Sequence, residues 1–313
     1  MILAIERLMA EDTAGDPMTG LRWTHKTTRK IRHALEAAGI FVSRTTVARL
    51  LRQRGYSLRV NRKLIALVNN EHRNRQFKYI KRLRRVFAKD ELPIVSVDTK
   101  KKELVGRFKN PGAAWSKQPI RVNDHDFKSD SKGFAVPYGV LDLSANRGHV
   151  CVGTSHDTPQ FAVHALAQWW RRTGRLRYPA ADHLLVLADT GGSNGARNRA
   201  WKHQLQTQLC DHCRLSVTVC HYPPGTSKWN PIEHRLFSEI SKNWAGRPLD
   251  SFDTILNYIR TTRTNAGLRV TATIDRRYYA TGLKIAAADM AALRLQPHRT
   301  CPAWNYTLRP ASG

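Results

Sequence analysis

The sequence predicts an α/β chain: a mixed sheet flanked by helices, with a helical helix-turn-helix region in front of it. Two patterns carry this reading. Upstream of residue 93 the apolar residues recur at helical spacing, with cap and stop residues where helices would begin and end. From residue 93 the period shifts to short strand-length runs, first in succession and then alternating with helical stretches. A length of 313 residues with 41% hydrophobic content allows a sizeable core and about two domains.

Residues 22–58 carry the helix-turn-helix pattern. Thr27 or Thr28 can cap a first helix with Ile31, Leu35 and Ala38 inward, and Gly39 stops it. Ser43 can cap a second with Val47, Leu50 and Leu51 inward, ended by Gly55. The outward face of the second helix holds Thr45, Arg49, Arg52 and Gln53, with Arg44 at its start. Such side chains contact base edges or phosphates in a major groove, so Arg44, Thr45, Arg49 and Arg52 are candidate DNA contacts. The plainer reading is a small helical bundle with a solvated basic face. Residues 70–90 predict one helix, with Phe77, Ile80, Leu83 and Phe87 on one side and basic residues over the rest.

Strands are expected at 93–99, 135–143, 148–154, 183–189 and 215–221. Helices are expected at 159–173, about 195–209, about 231–243 and 250–262. A meander of strands followed by alternation with helices is the order of a ribonuclease-H-like fold. The expected division is a helix-turn-helix region at 1–65, a basic connector at 66–92, a catalytic domain at 93–262 and a C-terminal extension at 263–313.

The charge narrows the partners. Fifty-two Lys and Arg against 24 Asp and Glu give a net charge of +28, spread from Arg22 to Arg309 rather than held in one tail. Such a chain is built to meet nucleic acid. A small low-complexity architectural protein would share the charge but not this length or patterning. No apolar run reaches the roughly 18 residues of a membrane span. Met1–Arg7 is too short and is broken by Glu6, so no signal peptide is expected. Five scattered cysteines, an odd number, point to reduced thiols in a cytosol.

Three carboxylates carry the chemistry. Asp98 ends the apolar run from Pro93, Asp189 ends the run from Leu184 and is followed by glycines, and Glu233 lies just inside a helix opened by Pro231. The first interval, 189 − 98 = 91 residues, leaves room for two strands and a helix. The second, 233 − 189 = 44 residues, leaves room for a helix and a strand. In a ribonuclease-H-like sheet the two aspartates then meet at one end of adjacent strands, and the glutamate enters from a later helix. Hard oxygen ligands of this kind hold Mg²⁺ or Mn²⁺. Two such ions activate an attacking oxygen and stabilise a leaving one, with no protein nucleophile. Each residue alone has a bland reading, a turn aspartate or a solvated helix glutamate; their joint order raises the sharper one. Lys100, Lys101 and Lys228 flank them and can neutralise phosphates, or are ordinary surface lysines.

The segments Val97–Gly106, Ala188–Gly195 and Tyr222–Glu233 resemble the three carboxylate blocks of DDE transposases, in particular the Rhodopirellula-type transposases of bacterial insertion sequences. Val136–Gly139 and Trp304–Thr307 extend the resemblance, which runs from about residue 16 to 308. Thr190 and Pro231 depart from the family pattern, where glycine or alanine and lysine are expected, but leave the carboxylates intact. The resemblance implies a metal-dependent enzyme with Asp98, Asp189 and Glu233 as catalytic metal ligands. It implies cleavage at element ends and strand transfer to target DNA, by a homo-oligomer on DNA, in the bacterial cytoplasm near the nucleoid. Two alternatives share the sequence: a nuclease of the same fold that does not join strands, and a transposase-derived DNA-binding regulator, against which the three intact carboxylates count.

Rival sites are weaker. Cys210-Asp211-His212-Cys213, with His203, Cys220 and His221, has zinc-like spacing but lacks a clean second pair. Tyr278 and Tyr279 lack the basic set of a tyrosine recombinase. Asp142 can approach the site from its strand, but the expected reading is an edge or solvent-facing strand residue, and Trp169-Trp170 is expected to pack a helix on the sheet.

Overall fold

The computed structural model describes residues 2–5, 14–15, 22–23, 27–56, 72–114 and 116–311. The chain divides into two compact units, Met1–Leu67 and Val68–Gly313.

In the first unit, α1 (Thr28–Ala37) and α2 (Arg44–Gln53) begin where the cap signals put them. Thr27 Oγ1 accepts from the Lys30 amide at 3.2 Å, and Ser43 Oγ from the Thr46 amide at 3.1 Å. Each such cap contributes about 1 kcal/mol. Both helices end on a glycine with φ of +78°. There the Gly39 and Ile40 amides close back on Glu36 and Leu35, and those of Gly55 and Tyr56 on Arg52 and Leu51, the paired bonds of a left-handed C-terminal cap. Ile5, Ile31, Leu35, Val47 and Leu50 form the core, while Arg44, Thr45, Arg49, Arg52 and Gln53 are exposed. Residues 24–26 and 57–58 of the expected helix-turn-helix, and the expected boundary at 65–66, lie outside the described residues.

The second unit opens with α3 (Arg73–Lys89). Its strands are β1 (Ile94–Thr99), β2 (Phe134–Asp142), β3 (Arg147–Gly153), β4 (His183–Ala188), β5 (Ser216–His221), β6 (Arg269–Asp275), β7 (Leu295–Pro297) and β8 (Asn305–Leu308), besides the short strand Glu103–Leu104, which pairs with the start of β2. Among the described residues they run in the order β7-β8-β5-β4-β1-β2-β3-β6. β1 is central, antiparallel to β2 and parallel to β4; β3 is antiparallel to β2 and β5 parallel to β4. This five-strand block is the ribonuclease-H-like arrangement that the element order predicts. The segment 263–313, expected as an extension, instead supplies strands to the same sheet: β6 lies parallel to β3, and β8 antiparallel to β5. β6 alternates exposed and buried residues from Arg269 to Ala272, so it lacks the continuous apolar run that marks the interior strands.

Helices cover both faces. On one face α4 (Pro159–Trp169) and α5 (Arg199–Gln204) pack on Val95, Val97, Tyr138, Val140, Val186 and Val219. Trp169 and Trp170 are buried there, as expected of helix packing. On the other face, Ile80 and Phe87 of α3 pack on Ile94, Leu185 and Leu187. The helix read as a connector is therefore a layer of this unit. Beside it, α6 (231–243) and α7 (Phe252–Thr261) pack on Leu141, Val150, Val152 and Val270. Among the described residues no helix is long and apolar enough to cross a membrane.

Asp142 corrects one expectation. It is buried, and it accepts from the amides of Ser144 and Ala145 and from the Tyr178 hydroxyl. It pairs in register with Val95, near the start of β1, whereas Gly139 pairs with Asp98 near its end. Asp142 thus holds the β2–β3 turn at the sheet edge remote from Asp98.

Gly139 sits where α6 crosses β2. A β-carbon built there would meet Phe237 at 2.6 Å and Ile232 at 2.8 Å. Gly139→Ala should therefore push α6 off the sheet, lowering stability by about 1–3 kcal/mol. Urea melts of the two proteins check this; equal midpoints would mean the helix has room to spare.

Candidate active site

β1 and β4 are parallel neighbours, so their C-terminal ends share one sheet edge. Asp98 is the penultimate residue of β1, and Asp189 follows the last residue of β4. Alternation along β1 sends Val95 and Val97 to the α4 face and Ser96 and Asp98 to the face under α6. α6 carries Glu233 in its first turn.

The start of α6 is fixed by β1. The buried Ser96 hydroxyl accepts from the Ile232 amide at 3.2 Å and donates to Asn230 Oδ1. In this way a strand residue satisfies one of the unpaired amides at a helix N-terminus. Asn230, fully buried, donates through Nδ2 to Asp189 Oδ1 at 3.0 Å. One Ser–Asn pair therefore joins the three elements that bear the acids. The backbone of Asp189 is held separately. Its carbonyl accepts from His221 Nδ1 at 2.7 Å, which places that proton on Nδ1. His221 Nε2 accepts from the Tyr306 hydroxyl, which in turn accepts from Trp201 Nε1. Burial pulls His221 down to about 4, so the ring is neutral at physiological pH. Gln76 of α3 binds the His221 carbonyl and exchanges paired amide bonds with Asn305.

Asp98 and Asp189 open on a cleft of about 410 Å³ lined also by Thr99, Asp157, the loop 190–194, Pro223 to Gly225 and Ser227; Glu233 is not among its lining residues, though its charge acts on both aspartates. Asp98 is pushed up to about 8, first by burial, then by the charge of Asp189, with Glu233 and Asp157 adding and the Thr99 amide opposing. Asp189 is also raised, by burial and then by Glu233, against the Asn230 bond. The largest charges acting on Asp98 are those of Asp189, Glu233 and Asp157, all negative, and among the described residues no three His, Cys, Asp or Glu side chains are gathered tightly enough to cage an ion. The carboxylates stand around the cleft rather than clasp a point. Hard anionic donors that repel one another fit a divalent cation, which would relieve that repulsion.

The flanking lysines divide. Lys100, expected on phosphate, is buried, pairs with Glu103 at 2.7 Å and lies over the Trp244 ring; its amine is already engaged. Lys101 and Lys228 are exposed. Sequence reasoning missed the roles of Ser96, Asn230 and Asp157. Asn230 preceded Pro231 in plain view, and Ser96 was the one polar residue within an apolar run. The zinc reading fails on topology: Cys210 and Cys220 pack in core clusters on opposite faces of the sheet.

The profile of the Rhodopirellula transposase DDE domain matches residues 4–310. The chain belongs to that family. It is thus a DDE transposase, an enzyme of DNA strand cleavage and transfer whose family uses divalent metal. Among solved structures, it is similar to the Mos1 transposase paired-end complex with left transposon end, at 17% identity and a TM-score of 0.44, covering 83% of this chain and 69% of that one. The Mos1 strand transfer complex gives 18% identity and a TM-score of 0.43, over 83% of this chain and 69% of that one. No curated protein matches the chain.

Titration of Asp98 has a definite sign. Raised from 3.8 to about 8, it keeps in the native state a proton that the unfolded chain has lost. Its contribution to stability therefore falls as pH climbs from about 4 to about 8. In melts of chelator-treated protein, wild type should lose stability across this window relative to Asp98→Asn. Parallel pH profiles for the two would contradict the buried, like-charged setting of Asp98.

Proposed function

We propose that the chain is the transposase of a bacterial insertion sequence that cuts DNA at the element ends and joins the freed ends to target DNA, with Asp98, Asp189 and Glu233 as its metal-binding catalytic residues. The observation that carries this is the Ser96–Asn230 link, which fixes the helix of Glu233 to the two strand ends that bear the aspartates, over an open cleft.

Mg²⁺, or Mn²⁺ in its place, would supply Lewis acidity to the attacking and leaving oxygens. The residues themselves orient and hold. Asn230 keeps one oxygen of Asp189 turned toward α6. The neutral His221 fixes the Asp189 backbone without adding a cation that would compete for the carboxylates. At Gly191 a β-carbon would meet nothing within 4 Å, so a sugar-phosphate backbone can approach there closely. Lys101 and Lys228, both exposed, the second over the Trp229 ring, can meet phosphates. In the first step water hydrolyses a phosphodiester and leaves a 3′-hydroxyl on the element end. In the second, that hydroxyl attacks a target phosphodiester and displaces the target's 3′-oxygen. The exposed face of α2 reads the element ends through Arg44, Thr45, Arg49 and Arg52. Two ends must be held together for joining, which calls for a homo-oligomer on DNA. The setting is the bacterial cytoplasm.

Asp98→Asn keeps the shape but removes the anionic oxygen. It should abolish both cleavage and joining, with DNA affinity changed less than about threefold, as fewer than one phosphate contact is at stake. Gel assays on labelled duplex and on pre-cleaved ends read the steps apart. Cleavage by the variant at the wild-type rate in Mg²⁺ would remove the assignment, and cleavage by wild type without joining would indicate a nuclease.

Arg49→Ala tests α2. If Arg49 reads a guanine edge, binding to element ends should weaken by about 1–3 kcal/mol with little effect on random duplex. If it meets only phosphate, both should weaken alike and the salt slope should fall by about one. Titrations that show no change on either duplex at any salt would exclude α2 as the reading helix.

A further inference from the structure

We infer that Asp157 is a fourth carboxylate of the active site, completing the ligand set of one of the divalent cations, and that the Tyr138 hydroxyl orders water at that position. The inference rests on the assignment of Asp98 and Asp189 as metal ligands.

Asp157 lies between the end of β3 and the start of α4. It is not the cap of that helix, since Thr158 Oγ1 accepts the Phe161 amide at 3.2 Å. Asp157 instead lines the same cleft as Asp98 and Asp189. Its Oδ1 accepts from Thr99 Oγ1 at 3.0 Å, so it is tethered to the residue after Asp98, and among the described residues its Oδ2 has no hydrogen-bond donor. β3 runs parallel to β1 through the intervening β2. The β3 exit loop therefore opens on the same sheet edge as the ends of β1 and β4. Strand alternation places Thr99 on the α4 face, opposite to Asp98. The cleft thus wraps around the end of β1, with Glu233 approaching from the α6 face and Asp157 from the α4 face.

The second observation is an orphan. Tyr138 is fully buried, and its hydroxyl has no hydrogen-bond partner among the described residues. Tyr138 is the cross-strand partner of Thr99, so both side chains share the α4 face. Its ring meets Phe161, in the first turn after Asp157, edge-on at 6.1 Å. The proton is held on by burial, and then by the charges of Asp98 and Asp157. A buried donor without an acceptor is costly, and one beside Thr99 and within the field of the Asp98 and Asp157 carboxylates marks a place where an acceptor belongs. A hydrated cation brings ordered water, which can accept from that hydroxyl. Tyr138 is then a positioning residue and Asp157 a ligand.

Mn²⁺ titration of the full chain by calorimetry, with free Mn²⁺ read by electron paramagnetic resonance, tests this without DNA or turnover. Wild type should take up about two Mn²⁺ per chain. Asp157→Asn should lose one of them or bind it at least about tenfold more weakly, Asp157→Glu should recover much of that loss, and Tyr138→Phe should weaken the same ion several-fold. Circular dichroism checks folding, and Asp157→Glu serves if the Asn variant does not fold. Wild-type stoichiometry and affinity in Asp157→Asn, alongside weakened binding in Asp98→Asn, would overturn the role of Asp157 alone. Unchanged binding in Asp98→Asn as well would overturn the underlying site.

Discussion

The active-site arrangement depends on one buried pair, Ser96 and Asn230. A serine in the middle of the central strand is unwelcome on packing grounds, and an asparagine with no exposure is more so. Each is tolerated because the other satisfies it, and because both spend their remaining capacity on the elements around them: Ile232 of α6 and the Asp189 carboxylate. A fully satisfied polar network in a dry interior is rigid, since any slip leaves a donor or acceptor unpaired. Helix and sheet are thus registered to one another by hydrogen bonds, which have direction, rather than by apolar contact alone, which has little.

Against this rigid frame stands an electrostatic tension. A body of net charge +28 draws in polyanions, yet its cleft gathers carboxylates. An empty cleft repels the phosphate that the rest of the surface attracts. In the proposed reading, neutralisation by divalent ions would remove that repulsion, so metal and DNA would favour each other's binding. The engagement of Lys100 with Glu103 fits the same proposal: a free ammonium beside Asp98 would compete with an ion for that carboxylate.

Much of this was legible in the sequence. Asp98 and Asp189 end continuous apolar runs, and such runs are the strongest strand signal a single chain offers. The N-terminal helices were legible from Thr27, Ser43, Gly39 and Gly55, because caps act within a few residues. What stayed hidden acts across long separations. Ser96 looked like a blemish in its strand, since its partner lies beyond β2, β3, β4 and β5 and the helices between them. Asp157 sits beside a better N-cap and borrows no local pattern. β8 is too short for periodicity, and the role of Tyr306 depends on His221 and Trp201, which no local window contains. Asp142 was misread because burial at a turn cannot be told from exposure until the neighbouring Tyr178 is in place.

β8 gives the molecule a temporal constraint. Its Tyr306 and Asn305 terminate the chains of bonds that run through His221 to Asp189 and through Gln76 to α3. The strand also covers β5, which would otherwise present an unpaired edge, a liability for aggregation. Since synthesis runs from the N-terminus, the helices of the first unit can form early, while the edge that bears Asp189 waits for β8 to emerge. The first unit and the frame around Asp189 thus mature at different moments, and a chain interrupted before β8 would keep the one but not the other.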